Sequence, residues 1–264
     1  MTSFAGFAAN HERSAWDDEG VRAATLDLLT LGHWHAQLRF LWLLITPGQP
    51  RPRRPGMIPA KKLREELTVL LTTNSTWSLT LCTARETRPD SESLRFQARL
   101  DWGPPVVHST GVRAHAEAGA DAWVSDVLTY FDRTHSVAGV VLSLPTDNEI
   151  MTECSTGSSS RNGIVCHPWP EEAERMHTHI NRMGTRYMRF PRWGTLVGHA
   201  HLAALGGRAA IEAAVEPAKV VELSGGLYVQ LTESIATAGS PEALAKQDAF
   251  RALATPLLPP EGRP

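Results

Sequence analysis

Residues 119–144, GADAWVSDVLTYFDRTHSVAGVVLSL, constrain the fold of this chain more than any other stretch. Ala120, Trp123, Val124, Val127, Leu128 and Phe131 fall at i, i+3, i+4, i+7, i+8 and i+11, the spacing of one helix face. VAGVVLSL follows at once, an unbroken apolar run of strand length that suits a strand inside a sheet. A helix with one apolar stripe must bury it, and the nearest apolar surface is the sheet its own chain enters. The predicted architecture is helix laid on sheet.

The remaining segments extend this pattern without a repeating β-α-β unit. Helices are predicted over 20–31, over 58–74 with Leu63, Leu67, Leu70 and Leu71 on one stripe, and over 170–184 with Ala173, Met176, Ile180 and Met183 inward. Strands are predicted over 36–46, 76–84, 93–102 and 192–198. HAHLAALGG is a short helix closed by glycine, 207–215 a second, and 220–231 a hairpin turning at SGG. Ser240 and Pro241 cap and open a terminal helix over 240–257. This order predicts an α+β fold: mixed or antiparallel sheets with amphipathic helices packed on one face. Residues 1–18 are polar and mixed and are expected to be loosely ordered, leaving 19–264 as a single domain.

Composition removes several classes of function. The formal net charge is −2, from 26 basic and 28 acidic residues, so no global field attracts nucleic acid or an anionic membrane. FLWLLI, the longest wholly apolar run, is far too short to span a bilayer, and the N-terminus has no basic, apolar leader pattern. Cys82, Cys154 and Cys166 do not make a disulfide framework. A cytoplasmic protein with reduced thiols is expected, rather than one with a Cys154–Cys166 bridge.

Three His-x-His pairs raise the question of a metal: His33/His35, His177/His179 and His199/His201. Metal ligation needs three or four donors converging on one point. Residues i and i+2 share a face on a strand but diverge by about 200° on a helix. His177 and His179 lie in a predicted helix and cannot chelate together. His199 and His201 sit where strand becomes helix, so either geometry is open. His33 and His35 precede a strand and can share a face. No HExxH, nucleophile elbow, P-loop or strand-borne GxGxxG is present. No catalytic residue and no cofactor are expected. The runner-up reading is a metal-dependent hydrolase that draws ligands from His33, His35, His199 and His201.

The C-terminal third points elsewhere. RWGTLVGHAHLAALGGRAAIEAAVEPAKVVELSGGLYVQLTES, residues 192–234, runs from an aromatic-led strand through a helix ending in Leu-Gly-Gly, a second helix, a strand, Gly-Gly and a closing strand. It resembles the C-terminal signature of the type VI immunity family, also called domain of unknown function 3396. Trp193, Leu205-Gly206-Gly207 and Gly225-Gly226 stand at the matching places. The helix at 119–134 with its following strand also resembles the middle segment of that family. The strand RWGTLVG is shorter than the family's usual Trp-led run, and 145–168 diverges.

The resemblance implies a cytoplasmic immunity protein that binds a cognate antibacterial toxin of type VI or related secretion and neutralises it by steric occlusion. Such a protein needs a scaffold and a complementary surface rather than a catalytic constellation. Its partner would be a protein, with no membrane and no direct nucleic-acid contact. If that toxin is a nuclease, its phosphate-binding cleft is basic, and carboxylates would oppose it. The expected contacts are Asp147, Glu149, Glu153, Glu171 and Glu172, on and beside the Ser/Gly-rich stretch 145–168.

Overall fold

The predicted helix–strand unit is the centre of the molecule in a computed structural model that describes residues 4–13, 18–30, 40–44, 56–57, 60–72, 78–82, 96–101, 108–115, 120–144, 170–179 and 182–261. Helix α3 spans Ala120–Arg133 and strand β7 spans Ala138–Leu144. Trp123, Val124, Val127 and Phe131 are buried as their spacing requires, and Tyr130 joins them. Phe131 lies over Gly139 of β7, where any Cβ would overlap its ring. The glycine gives the aromatic stripe room to sit directly on the sheet.

Ten described strands form one sheet, and every pairing in it is antiparallel. Besides β7 they are β1 (Phe4–His11), β2 (Phe40–Leu44), β3 (Gly56–Met57), β4 (Ser78–Cys82), β5 (Phe96–Asp101), β6 (His108–His115), β8 (Gly194–Gly198), β9 (Lys219–Leu223) and β10 (Gly226–Gln230). Their spatial order is β3-β2-β4-β5-β6-β1-β7-β8-β10-β9. The described helices are α1 (Glu19–Thr30), α2 (Leu63–Thr72), α3, α4 (Pro170–Thr178), α5 (His199–Ala204), α6 (Gly207–Val215) and α7 (Pro241–Ala254). The fold is α+β, as expected.

The N-terminal segment departs from its expectation. Phe4–His11 is a central strand, with Phe7 opposite Val112 of β6 on one side and Val141 of β7 on the other. Phe7, Ala8, Ala9 and Asn10 are fully buried. FAGFAANH has little hydrophobic pattern of its own, and its small residues fit because both neighbours are already packed strands. The strand at 108–115, HSTGVRAH, also carries no apolar alternation and is absent from the sequence reading.

The sheet is covered on both sides near its centre. Every residue of β8 and of β10 is buried, and a strand buried along its whole length has no solvent face. Helix α3 covers the side of Phe7 through ring contacts from Tyr130 and Phe131, both at 5.8 Å between centroids. The opposite side carries Asn10, whose Oδ1 accepts a 2.6 Å hydrogen bond from Arg189 Nε.

Helix α4 ends at Thr178, earlier than the stripe to Met183 predicts. The chain there becomes a tight turn, with Gly184 at φ +81° and its N–H donating to Tyr187 O at 2.7 Å. The C-terminal signals are legible throughout. Gly206 takes the left-handed conformation at φ +84° between α5 and α6, and the Ser240 hydroxyl accepts from Ala243 N at 3.2 Å to cap α7.

Candidate functional site

Strand β8 passes into α5 at Gly198, and this transition separates the last histidine pair. A helix begins at His199, so His199 and His201 point to opposite sides. His199 is exposed, with Nε2 at 3.1 Å from Ser224 O in the β9–β10 turn. His201 is 3 % exposed, and burial lowers its affinity for a proton, opposed in part by the backbone of Arg186. The two rings do not converge. His179 follows the end of α4 and packs edge-on to Tyr187 at 5.2 Å. His33 and His35 lie outside the described residues, as do Cys154 and Cys166. Among the described residues, no three His, Cys, Asp or Glu side chains come together as a metal site.

Ser224, Asp132 and His199 meet at the same turn, a grouping no sequence motif announced. Its geometry is that of a clamp. Ser224 N donates to Asp132 Oδ1 at 2.7 Å, and Ser224 Oγ donates to the Asp132 carbonyl. The hydroxyl is thus turned to the main chain, and the histidine nitrogen meets the serine carbonyl rather than Oγ. The group fastens the hairpin turn to the end of α3. A nucleophile would need its hydroxyl on the histidine nitrogen.

The expected acidic contacts divide. Asp147, Glu149 and Glu153 lie outside the described residues. Glu171 is exposed in the first turn of α4, where negative charge suits the helix dipole. Glu172 is committed inside the molecule. Its Oε2 accepts from Arg192 Nη1 at 2.8 Å and from Arg251 Nη2 at 3.1 Å. Arg192 is 1 % exposed, at the entrance to β8, and Arg251 is on α7. Glu172 therefore ties α4 to the segment entering β8 and to α7. No local pattern identifies this pairing, because its members are 20 and 79 residues apart in sequence.

A second charged hub joins the helices of the other side. Asp27 of α1 receives Arg64 of α2 at 2.8 Å and Arg133 of α3 at 2.5 Å. Partial burial raises its pKa and the two guanidiniums lower it, and the balance holds the carboxyl below its ordinary value. Beside it a shallow cleft of about 160 Å³ is lined by Ala24, Leu28, Asp126, Thr129 and Tyr130.

With this geometry in hand, known proteins give one informative likeness. No family model matches the chain, so the resemblance to the type VI immunity family has no match of that kind behind it. No curated protein matches either. Among solved structures, the chain is similar to the Pseudomonas aeruginosa T6SS protein PA0821, with a TM-score of 0.62 and 11 % sequence identity. The likeness is one of fold. It covers 97 % of this chain and 73 % of the other, so it takes in the architecture from end to end. Among the described residues, no helix is long and apolar enough to cross a membrane.

Proposed function

We propose that this protein is an immunity protein of type VI secretion, which binds a cognate toxin in the cytoplasm and blocks it by occupying its working surface. The observation that carries the reading is the fold likeness to a T6SS protein over almost the whole chain. The sequence signature at 192–234 supports it independently of that likeness. The divergence of His199 and His201, and the turn of the Ser224 hydroxyl to the main chain, fit a binding protein better than a hydrolase.

The test is co-expression with the product of the adjacent gene. A stoichiometric complex on a tag carried by this chain, together with rescue of growth from that product's toxicity, is the expected result. Absence of both defeats the reading for that pair. Metal analysis of the purified protein then decides whether the hydrolase alternative is worth pursuing: stoichiometric zinc or manganese that disappears on mutating His33, His35, His199 or His201 would favour it.

A further inference from the structure

We propose that the turn carrying Arg182 and Arg186 is a docking site for an acidic segment of a protein partner. The inference rests on the binding-protein reading for the partner's identity, and on the arginines for its chemistry. Among the described residues, other arginines meet internal acids: Arg64 and Arg133 share Asp27, and Arg192 and Arg251 share Glu172. Arg182 and Arg186 differ. Both are exposed, and among the described residues neither guanidinium has a carboxylate at ion-pair distance. Glu171 and Glu174, exposed on α4 just upstream, pair with neither.

The backbone holds the two side chains in a fixed relation. Arg186 N and Tyr187 N both donate to Arg182 O, at 2.9 and 3.0 Å, which closes the turn around the left-handed Gly184. The bond from Arg186 N to Arg182 O brings the backbones of the two arginines together. Gly184 N donates to Tyr187 O at 2.7 Å, and Thr185 Oγ1 to Arg182 O at 3.2 Å, so the loop is bonded throughout. The Arg186 guanidinium lies over the Tyr187 ring at 5.3 Å, and that ring is braced from its edge by His179. Arg186 is therefore ordered by an aromatic ring, with its fork of donors still unspent on any acid. Two exposed guanidiniums on one bonded turn suit a segment that carries several carboxylates, and the ordering of Arg186 before contact reduces the entropy lost on binding.

The alternative anion, a nucleic-acid backbone, fits less well. Tyr187 is only 8 % exposed and lies beneath Arg186, so it offers no open ring for a base to stack on. The chain as a whole is slightly acidic and supplies no long basic stripe.

The experiment titrates the full chain with a fluorescein-labelled Glu/Asp-rich peptide at low salt, beside an oligothymidylate of equal charge and inorganic phosphate as competitor. Saturable peptide binding is expected, weakened about 10-fold in R182A/R186A and little changed in Lys219→Ala, a control cation on the edge strand. Equal binding by the double variant overturns the proposal, as does tighter binding of the oligothymidylate, or full competition by phosphate at equal charge. The same variants are then carried into the complex with the adjacent gene product. If that product fails to bind the wild type, the proposed function fails, while the peptide titration still judges the arginines.

Discussion

Replacing Glu172 by Gln should destabilise the protein far more than an ordinary surface substitution. The change keeps the shape of the side chain and removes its charge. Arg192 is 1 % exposed, and its Nη1 donates to Glu172 Oε2 at 2.8 Å and to Pro191 O at 3.4 Å. Without the carboxylate, the guanidinium faces a neutral amide in a nearly dry site and keeps only its other contacts. Breaking a buried pair in this way costs about 3–5 kcal/mol. Arg251 adds little to that figure. It is 17 % exposed and also approaches the exposed Asp248 at 3.5 Å, so part of its interaction survives. For a chain of this length each kcal/mol moves the midpoint by roughly 2–4 °C, so a Tm lower by about 10 °C is expected. Urea unfolding followed by tryptophan fluorescence reads it, since Trp193 is buried next to Arg192. The double variant E172Q/R192M removes the buried cation as well and should recover about 2 kcal/mol of the loss. A loss below about 1 kcal/mol for Glu172→Gln, or no recovery in the double variant, would refute the argument that this carboxylate neutralises a buried cation.

Three other perturbations probe separate parts of the structure. The Tyr228 hydroxyl is fully buried without a hydrogen-bond partner among the described residues, and burial pushes its ionisation far above the ordinary phenol range; Tyr228→Phe should raise stability by about 1 kcal/mol, seen as a higher urea midpoint, and a lower midpoint would mean the hydroxyl is satisfied. Burial holds the folded pKa of His201 below the ordinary imidazole value of 6.5, so the unfolded chain binds more protons in the window beneath 6.5; stability should be complete above that pH and decline as the pH falls through the window, and His201→Gln should flatten the slope of stability against pH there. Gly225 sits against the Ser136 carbonyl, where a Cβ would fall inside contact distance of backbone, so Gly225→Ala should lower the Tm and loosen the hairpin, with faster amide exchange in β9 and β10 as the check.

Much of the architecture could be read from the chain because it is encoded locally. The stripe of Trp123, Val127 and Phe131 specifies α3 and the face it buries, and Ser240 with Pro241 specifies where α7 begins, because helix periodicity and end-capping involve residues within a few positions of each other. Leu-Gly-Gly and Ser-Gly-Gly marked their turns for the same reason: a left-handed or closely approached backbone position admits glycine whatever surrounds the element.

What lay beyond that reach was the choice of partners between distant segments. FAGFAANH became a central strand because β6 and β7 offer it two edges, and nothing in eight small or weakly patterned residues states that those edges exist. Glu172 read equally well as an exposed acid at a helix start, and only the arrival of Arg192 and Arg251 made it an internal counter-ion. His199 and His201 were open to convergence until the helix was seen to start at the first of them. Arg182 and Arg186 stood out only once the turn was seen to expose both without a carboxylate at ion-pair distance among the described residues. By itself the sequence determined which segments are helices and turns and which faces are apolar, since those follow from short-range sterics and periodicity. The tertiary structure alone decided which strands adjoin, which charges are cancelled and which stay exposed, since desolvation and ion pairing depend on distances that no local pattern contains.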